Sequence, residues 1–208
     1  NIIYHNGAKF RVNQVIQPEI PTQLRQVRVC KTSGYWLSDA EGTLNCCPFT
    51  GVDLTESKNR EDFIDVLPLT ECRAEQRDYI TCEEEERRRL GFEIDTYFSV
   101  PDGDMSRVHR AAVRSGGDDL LNLAFIPAAR LVQLNRRDRG RKDEGFPLGM
   151  ETGFWKSNNQ DPATPAKEEI RSVLIQTHST ADALYIEPVI SLGLTREGVL
   201  SLMYALKR

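Results

Sequence analysis

Apolar and polar residues alternate along several short stretches of the chain, which is the pattern of half-buried β-strands. In residues 92–100 the even-numbered positions are mostly apolar, whereas the opposite face carries Glu93, Asp95 and Tyr97. Alternation and β-branched residues predict further strands over residues 8–18, 24–30, 63–69, 106–114, 119–126, 129–135, 171–178 and 182–189. Turn residues separate these strands, and residues 115–119 are predicted to close a hairpin.

Two segments have a helical pattern instead. Residues 82–90 contain Glu–Arg pairs four positions apart, with Thr81 as the capping residue and Gly91 at the C-terminal end. The second helix begins at Thr195 and places apolar side chains on one face, namely Val199, Leu202, Met203 and Leu206. Together these patterns predict an α+β fold with mainly antiparallel strands and a few short helices.

The composition is that of an ordinary soluble protein. Hydrophobic residues make up 39% of the 208 positions, and charged residues make up 28%. No run approaches the roughly 18 apolar residues of a membrane-spanning helix, so no membrane partner is predicted. The five cysteines lack the spacing of a disulfide framework, which indicates free thiols in a reducing, cytoplasmic compartment.

The best candidate for a linker is the polar, proline-containing segment 156–168. It separates a strand-rich module over residues 1–155 from a second segment, residues 169–208. Because the sequence begins within a predicted strand and ends within a predicted helix, we expect the chain to be part of a longer polypeptide.

Charge is distributed unevenly, although the formal net charge is −4. Residues 53–104 carry 16 acidic and 7 basic side chains, whereas one basic segment (residues 136–142) concentrates five cations: Arg136, Arg137, Arg139, Arg141 and Lys142. Because Arg and Lys neutralise phosphates whatever the base sequence, this segment predicts contact with single-stranded or duplex DNA. The alternatives are a solvated loop and pairing with the acidic residues 53–104. Tyr35 and Trp36 could likewise stack on a base, or pack inside the fold.

Two segments have the form of zinc-binding turns that have each lost one ligand. Residues 30–34 and 47–51 follow the pattern C-x-x-C-G, but Ser33 and Thr50 stand where the second cysteines belong. Structural zinc is held by four ligands, so the two remaining cysteines would need others, for which the candidates are Cys46, Cys72, Cys82 and His5. We expect instead that the turns persist without metal, because the glycine that ends each turn still supplies its backbone conformation.

No sequence pattern for catalysis is present. A phosphate-binding loop of the form G-x-x-x-x-G-K-[ST] does not occur, and the Gly-Gly pair of the predicted hairpin is followed by aspartates. Asp143 and Glu144 follow a basic segment rather than a buried strand, and we interpret Asp182 and Glu187 as solvated or capping residues. We therefore predict no catalytic residue and no cofactor for this chain.

Three motifs, in this order, resemble segments of superfamily-two DEAD/DEAH-type helicases. They are ITCEEEERRRLGFEIDTYF (residues 80–98), FIPAARLVQLNRRDRGRKDEGFPLG (residues 125–149), and SVLIQTHSTADALYIEP followed by LSLMYALKR (residues 172–188 and 200–208). The resemblance extends over roughly residues 24–208, and it implies that residues 169–208 are the start of a C-terminal helicase-associated domain. The three motifs resemble the accessory and C-terminal region of these helicases, a kind that includes MrfA, of mitomycin repair, and DrmA, of the DISARM antiphage system.

The resemblance implies a non-motor part of a DNA helicase or translocase, which braces the motor lobes and contacts DNA in antiphage defence or DNA repair. ATP and magnesium are then implied for the motor lobes of the parent chain and not for these residues. The resemblance also implies zinc at the cysteine turns, but this sequence departs from the zinc-binding pattern at Ser33 and Thr50. The alternative is a non-catalytic scaffold whose strand edges and acidic face bind a partner subunit.

Overall fold

The computed structural model describes residues 2–37, 39, 41–79, 81, 83–137, 144–155 and 168–206, which form a mainly β fold with three short helices. The strands are β1 (Ile2–His5), β2 (Ala8–Val15), β3 (Arg25–Cys30), β4 (Tyr35–Leu37), β5 (Arg60–Pro68), β6 (Cys72–Tyr79), β7 (Glu93–Ser99), β8 (His109–Ser115), β9 (Asp118–Arg137), β10 (Phe146–Gly149) and β11 (Ile170–Pro188). The helices are α1 (Ile20–Gln23), α2 (Glu84–Arg89) and α3 (Arg196–Leu206). None of the described helices is long and apolar enough to cross a membrane.

The residues group into two compact units. Unit 1 comprises Asn1–Ser99 and Arg130–Ser179, and unit 2 comprises Val100–Ala129 and Thr180–Arg208. The predicted linker lies outside the described residues except for Glu168, so the predicted domain boundary stays a prediction.

Six strands close into a mixed β-barrel. Their order is β11-β5-β3-β4-β7-β9, and β9 also pairs with β11. The β4–β7 and β5–β11 pairs are parallel, whereas β3–β4, β3–β5 and β7–β9 are antiparallel. A core of inward-facing side chains fills the barrel: Val27, Val29, Trp36, Phe63, Val66, Val132, Leu134 and Leu174. The prediction of a strand-rich chain with a few short helices is confirmed, and the fold is mainly β because those helices are short.

A small antiparallel sheet, in the order β1-β2-β6, packs over a second core. Strands β5 and β11 contribute to both cores. Val66 and Leu174 belong to the barrel core, whereas Leu67, Val173 and Ile175 belong to the second core. Strands that are buried on both faces have continuous apolar runs instead of alternation, which explains the three consecutive apolar residues of β11.

Two strands are longer than the sequence pattern predicted. Four predicted strands merge pairwise into β9 and β11: 119–126 with 129–135, and 171–178 with 182–189. The predicted break within β9 corresponds to Pro127 and Ala128. Ala128 has a left-handed φ of 51° and donates its N–H to Asp182 Oδ1 at 2.9 Å. Asp182 is exposed, as its solvated interpretation expects, and its carboxylate bonds a strand N–H and does not cap a helix.

Both predicted helices are present. Helix α2 begins two residues later than predicted, and its N-cap residue is Glu83, so the prediction of Thr81 as the capping residue is wrong. The Thr81 hydroxyl instead accepts a hydrogen bond from the Glu83 N–H, just before the helix, at 3.1 Å. Gly91 follows the end of α2 with a φ of 88°, as expected for a C-terminal glycine. At the start of α3, the Thr195 hydroxyl accepts a hydrogen bond from the Gly198 N–H at 3.2 Å. The capping residue predicted for the second helix is therefore confirmed.

Candidate functional site

One cavity in unit 1 brings together features that lie far apart in the sequence. It has a volume of about 420 Å³ and is lined by the first cysteine turn, β3, β5, α2, β7 and the end of β9. We call it the polar cavity, because its lining includes the side chains of Lys31, Glu61, Arg87, Asp95, Tyr97 and Arg136. Its size is within the range of cavities that hold small ligands.

Arg136 is the centre of an ion network at this cavity. Its Nη1 lies 2.9 Å from Asp95 Oδ2 and 3.4 Å from Glu61 Oε1, and its Nε donates to Glu144 Oε1. The guanidinium also lies over the Phe63 ring, at 5.3 Å from the ring centre. The side chain is 20% exposed, so Arg136 is held inside the site by three carboxylates and an aromatic ring.

The pKa values of the cavity groups follow from this network. Burial alone would lower the pKa of Arg136, but hydrogen bonds to Glu144 and Asp95 raise it above its ordinary value. Burial, and then the charges of Asp95 and Glu61, raise the pKa of Tyr97 far above its ordinary value. Tyr97 therefore keeps its proton, and its hydroxyl donates to Asp95 Oδ2 at 3.4 Å. These groups can bind a polar ligand through fixed charges and hydrogen bonds.

The structure describes two of the five predicted DNA-binding residues, Arg136 and Arg137. Arg136 belongs to the ion network, and Arg137 Nη2 pairs with Glu93 Oε2 at 2.8 Å. These carboxylates, except Glu144, lie within the acidic residues 53–104, as the alternative interpretation of the basic segment expects. Three predicted residues lie outside the described part of the chain: Arg139, Arg141 and Lys142. Phosphate contact by the segment as a whole stays a prediction.

The two cysteine turns have the same backbone geometry. The Gly34 N–H donates to the Cys30 carbonyl at 2.8 Å, and the Gly51 N–H donates to the Cys47 carbonyl at 2.7 Å. Both glycines have left-handed φ angles, 71° and 75°, which glycine adopts without strain. The turns also meet, since Ser33 Oγ lies 3.8 Å from Cys47 Sγ. The predicted pair of turns is confirmed.

The residues at these turns do not fit a zinc ion. Cys30 and Cys47 are buried, but Ser33 and Thr50 offer hydroxyls where thiolates would be needed. Within the described ranges, which leave out Cys82, no three His, Cys, Asp or Glu side chains come close enough to hold a metal ion together. Tetrahedral zinc needs four ligands, and these residues do not supply them.

A hydrogen-bonded cluster connects the two turns. Burial alone would raise the pKa of the Cys30 thiol. Hydrogen bonds from Ser33, from the Thr32 backbone and from the Cys47 thiol outweigh burial, so that this pKa lies below its ordinary value. Thr50 Oγ1 is buried and has no hydrogen-bond partner in the part of the chain that the structure covers. Ser33 therefore joins the cluster, whereas no described contact joins the Thr50 hydroxyl to it.

The aromatic residues beside the first turn pack inside the fold. Tyr35 is fully buried, and its ring stacks on Phe49 at 6.0 Å and meets Phe98 edge-on at 5.6 Å. Trp36 is 5% exposed and contacts Tyr97 in the barrel core. Of the two alternatives for this pair, packing is the one that the structure shows, and neither ring is available to stack on a base.

Several cavity residues were not predicted as site residues. Asp95 and Tyr97 share the face of β7 that the alternation assigned to the polar side, yet Tyr97 packs against the barrel core and Asp95 binds Arg136. The apolar face of this strand is also covered, because Phe92 and Ile94 are buried. A tyrosine two positions from an aspartate on the polar face was the available signal that this face is not simply solvated.

Comparison with known proteins does not identify the chain. No family model matches it, and neither the curated proteins nor the solved structures contain a match. The resemblance to helicases therefore stays a hypothesis that rests on the three motifs quoted above.

Proposed function

We propose that the chain is a non-motor part of a helicase- or translocase-like ATPase, and that it contacts DNA through the basic segment. One observation carries this proposal: the two flanks of the segment are joined beside the polar cavity, where the Gly145 N–H donates to the Arg136 carbonyl at 2.7 Å. Lys31 and Arg87, from two other parts of the chain, line the same cavity. The described flank of the segment, at Arg136, thus lies in a cavity that two other cations also line, and the cations of the segment are the groups that would contact a polyanion.

The cations of the basic segment divide into two roles in this proposal. Arg136 is an anchor, because three carboxylates already occupy its donors. Arg137 is 37% exposed and has a carboxylate partner that a phosphate could replace. Phosphate contact therefore falls mainly to the remaining cations, Arg139, Arg141 and Lys142. Contacts of this kind position a protein on DNA without reading its sequence.

We also interpret the paired cysteine turns as a zinc knuckle that has lost two of its four ligands. The matching Gly34 and Gly51 hydrogen bonds and the contact between Ser33 and Cys47 support this interpretation. A knuckle that keeps its shape without an ion would brace the barrel beside the polar cavity, because Cys30 and Gly34 line that cavity. This bracing role agrees with the role that the helicase resemblance implies.

The experiment is to measure binding of a single-stranded oligonucleotide over a range of salt concentrations. Each lost phosphate contact should lower the slope of log K against log salt by about 0.7. The variant in which Arg139, Arg141 and Lys142 are all replaced by Ala should therefore lower the slope by about 2, if each residue makes one contact. Affinity should fall to a similar extent for oligonucleotides of different sequence.

A matched control replaces three exposed cations elsewhere in the chain: Lys58, Arg77 and Arg110. It has the same change in net charge, so a general electrostatic effect would appear in both variants. A salt slope that falls equally in both variants, or in neither, would overturn DNA contact by the basic segment.

A second candidate function is supported by the surface of unit 2. Large apolar side chains are exposed there, including Leu184 at 56%, Ile190 at 98% and Leu206 at 54%. Exposed apolar residues in such number are typical of a surface that contacts another protein, as expected of a scaffold that binds a partner subunit. If the partner subunit is a second copy of this chain, the chain should self-associate at high concentration in sedimentation experiments, and a variant with Ile190→Ser and Leu206→Ser should not. A chain that stays monomeric throughout would count against a second copy as the partner.

A further inference from the structure

A second cavity in unit 1 differs from the polar cavity in its chemistry. It has a volume of about 310 Å³ and is lined by β1, β2, β6, β11 and the segment that follows β5. We call it the apolar cavity, because hydrophobic side chains form most of its wall: Ile3, Phe10, Val12, Leu69, Cys72 and Ala74. A mostly apolar cavity of this size is the usual form of a small-molecule site.

The wall of the apolar cavity is continuous with the second core. Ile3 and Val12 are buried members of that core, whereas Phe10, Leu69 and Cys72 pack against it and stay partly exposed. The cavity is therefore an opening into the core. Contact between apolar surface and water is unfavourable, and a bound apolar molecule would remove the wall of the cavity from water.

The small sheet is irregular where it forms this wall. The pairing of β2 with β6 shifts register between Ala8 and Phe10, and again between Val12 and Gln14. Such shifts bend a strand, change the direction of its side chains and are frequent beside binding sites. Phe10 and Val12, which lie between the two shifts, both line the cavity, and so does Ala74, which is opposite Val12 in the ladder. The two shifts therefore flank the part of β2 that forms the wall.

The wall of the apolar cavity is uncharged at neutral pH. Among the residues that the structure describes, none that lines this cavity is Asp, Glu, Lys or Arg. Two imidazoles line it, His5 and His178, and burial lowers the pKa of both. Burial raises the pKa of the Cys72 thiol, which therefore keeps its proton. A charged ligand would lose its hydration in this cavity without gaining a partner of opposite charge.

We propose that the apolar cavity binds a small, uncharged hydrophobic molecule, which packs on the side chains at the opening of the second core. The volume of the cavity limits the ligand to a compact molecule, and the uncharged wall favours a ligand without a formal charge. An acid or an amine of the same shape has to give up the hydration of its charge, so both should bind more weakly. This site is separate from the polar cavity and does not depend on DNA binding.

The test is calorimetric titration of the whole chain at pH 7.5 with three probes that share one ring: cyclohexylmethanol, sodium cyclohexanecarboxylate and cyclohexylmethylamine. The alcohol should bind saturably, with one molecule per chain. The carboxylate and the amine should each bind more weakly than the alcohol, by a factor of about ten or more, because each carries a charge that the wall does not balance.

One pair of variants locates the bound probe. Cys72 lines the apolar cavity, whereas Cys46 is exposed and does not line it. Cys72→Phe should fill the cavity and abolish binding of cyclohexylmethanol. Cys46→Phe makes the same replacement outside the cavity and should leave this binding unchanged. The melting temperature of each variant shows whether it is folded.

A measurement on the unaltered chain keeps the test decisive if Cys72→Phe does not fold. Saturating cyclohexylmethanol should slow the alkylation of Cys72 by iodoacetamide, followed by mass spectrometry, and should not slow that of Cys46, the exposed control. The proposal is overturned if cyclohexylmethanol does not bind saturably to the unaltered chain, or if the carboxylate or the amine binds as tightly as the alcohol. It is also overturned if a folded Cys72→Phe variant binds the alcohol as well as Cys46→Phe does.

Discussion

The guanidinium of Arg136 donates a hydrogen bond of 2.9 Å to the carboxylate of Asp95, which lies 41 positions earlier in the chain and on the neighbouring barrel strand. The first cation of the basic segment is therefore part of the protein's internal structure. This relationship separates Arg136, which binds carboxylates of the barrel, from the rest of the basic segment, for which we propose contact with DNA.

Replacing Arg136 should therefore reduce stability. We expect Arg136→Met to lower the free energy of unfolding by about 1–3 kcal/mol, because Asp95 would keep a partly buried charge without its partner. Arg77→Met is the control: Arg77 forms an exposed pair with Glu75, and such pairs contribute about 0–1 kcal/mol. Urea unfolding of both variants measures the difference. Equal destabilisation would show that the network at Asp95 does not stabilise the fold.

The cysteine turns should bind zinc once their ligands are restored. Purified chain should contain well under one equivalent of zinc, because Ser33 and Thr50 offer hydroxyls at positions where the proposed zinc knuckle would need thiolates. The variant with Ser33→Cys and Thr50→Cys should bind one equivalent tightly, since both turns keep their glycine geometry. Elemental analysis and competition with a chelator measure both. The single Ser33→Cys variant is the control and should bind more weakly. One equivalent of zinc in the unaltered chain would contradict the prediction.

Gly153 should not tolerate a side chain. A Cβ at this position would lie 1.9 Å from the carbonyl oxygen of Val15, and the φ of 68° is itself strained for alanine. We expect Gly153→Ala to lower the free energy of unfolding by about 2–4 kcal/mol, as strain adds to loss of the Val15–Gly153 hydrogen bond.

Gly116→Ala separates backbone strain from the collision at Gly153. Gly116 has a φ of 61°, but nothing lies within 4 Å of a Cβ there, so about 1 kcal/mol is expected. Thermal or urea unfolding compares the two variants. An equal loss of unfolding free energy in both variants would mean that the close approach of residue 153 to Val15 does not contribute to that loss.

Stability should fall as the pH is lowered through the range in which histidine titrates. Burial lowers the pKa of His5 in the folded chain, so the unfolded chain binds a proton at this residue more readily than the folded chain does. The contribution of neutral His5 to the free energy of unfolding is present above the unfolded pKa of about 6.5 and is lost as the pH falls below it. Urea unfolding at pH 7.5 and pH 5.5 should show this loss, and His5→Phe should make it smaller. An unchanged pH dependence in the variant would contradict the role of His5.

The local structure could be predicted from sequence wherever side chains determine it. The alternation of residues 92–100 predicted β7, and Thr195 was recognised as the capping residue of α3. The exposed strand β6 had no such signal, because its side chains are largely polar and it pairs at the edge of the small sheet. Its position depends on the backbone of β2, which composition does not encode.

The closure of the barrel could not be predicted either. It depends on the parallel β4–β7 and β5–β11 pairs, and the second of these joins residues more than 100 positions apart. Alternation does not specify a partner strand, so although Tyr97 indicated that the polar face of β7 is not simply solvated, the pairing of Asp95 with Arg136 could not be recognised. The paired cysteine turns were predictable, since each glycine that ends a turn marks its backbone conformation. Their contact through Ser33 and Cys47 was not.

The hydrogen bond from the Gly145 N–H to the Arg136 carbonyl also determines how the length of the chain between these residues can vary. Because the two ends are joined by the barrel itself, the cost of a longer connection is the entropy of closing a larger loop. That entropy grows slowly, by about 0.6 kcal/mol for each doubling of loop length. The stretch over residues 138–143 could therefore be lengthened or shortened at little cost to the barrel, as long as Arg137 and Glu144 keep their ion pairs with Glu93 and Arg136.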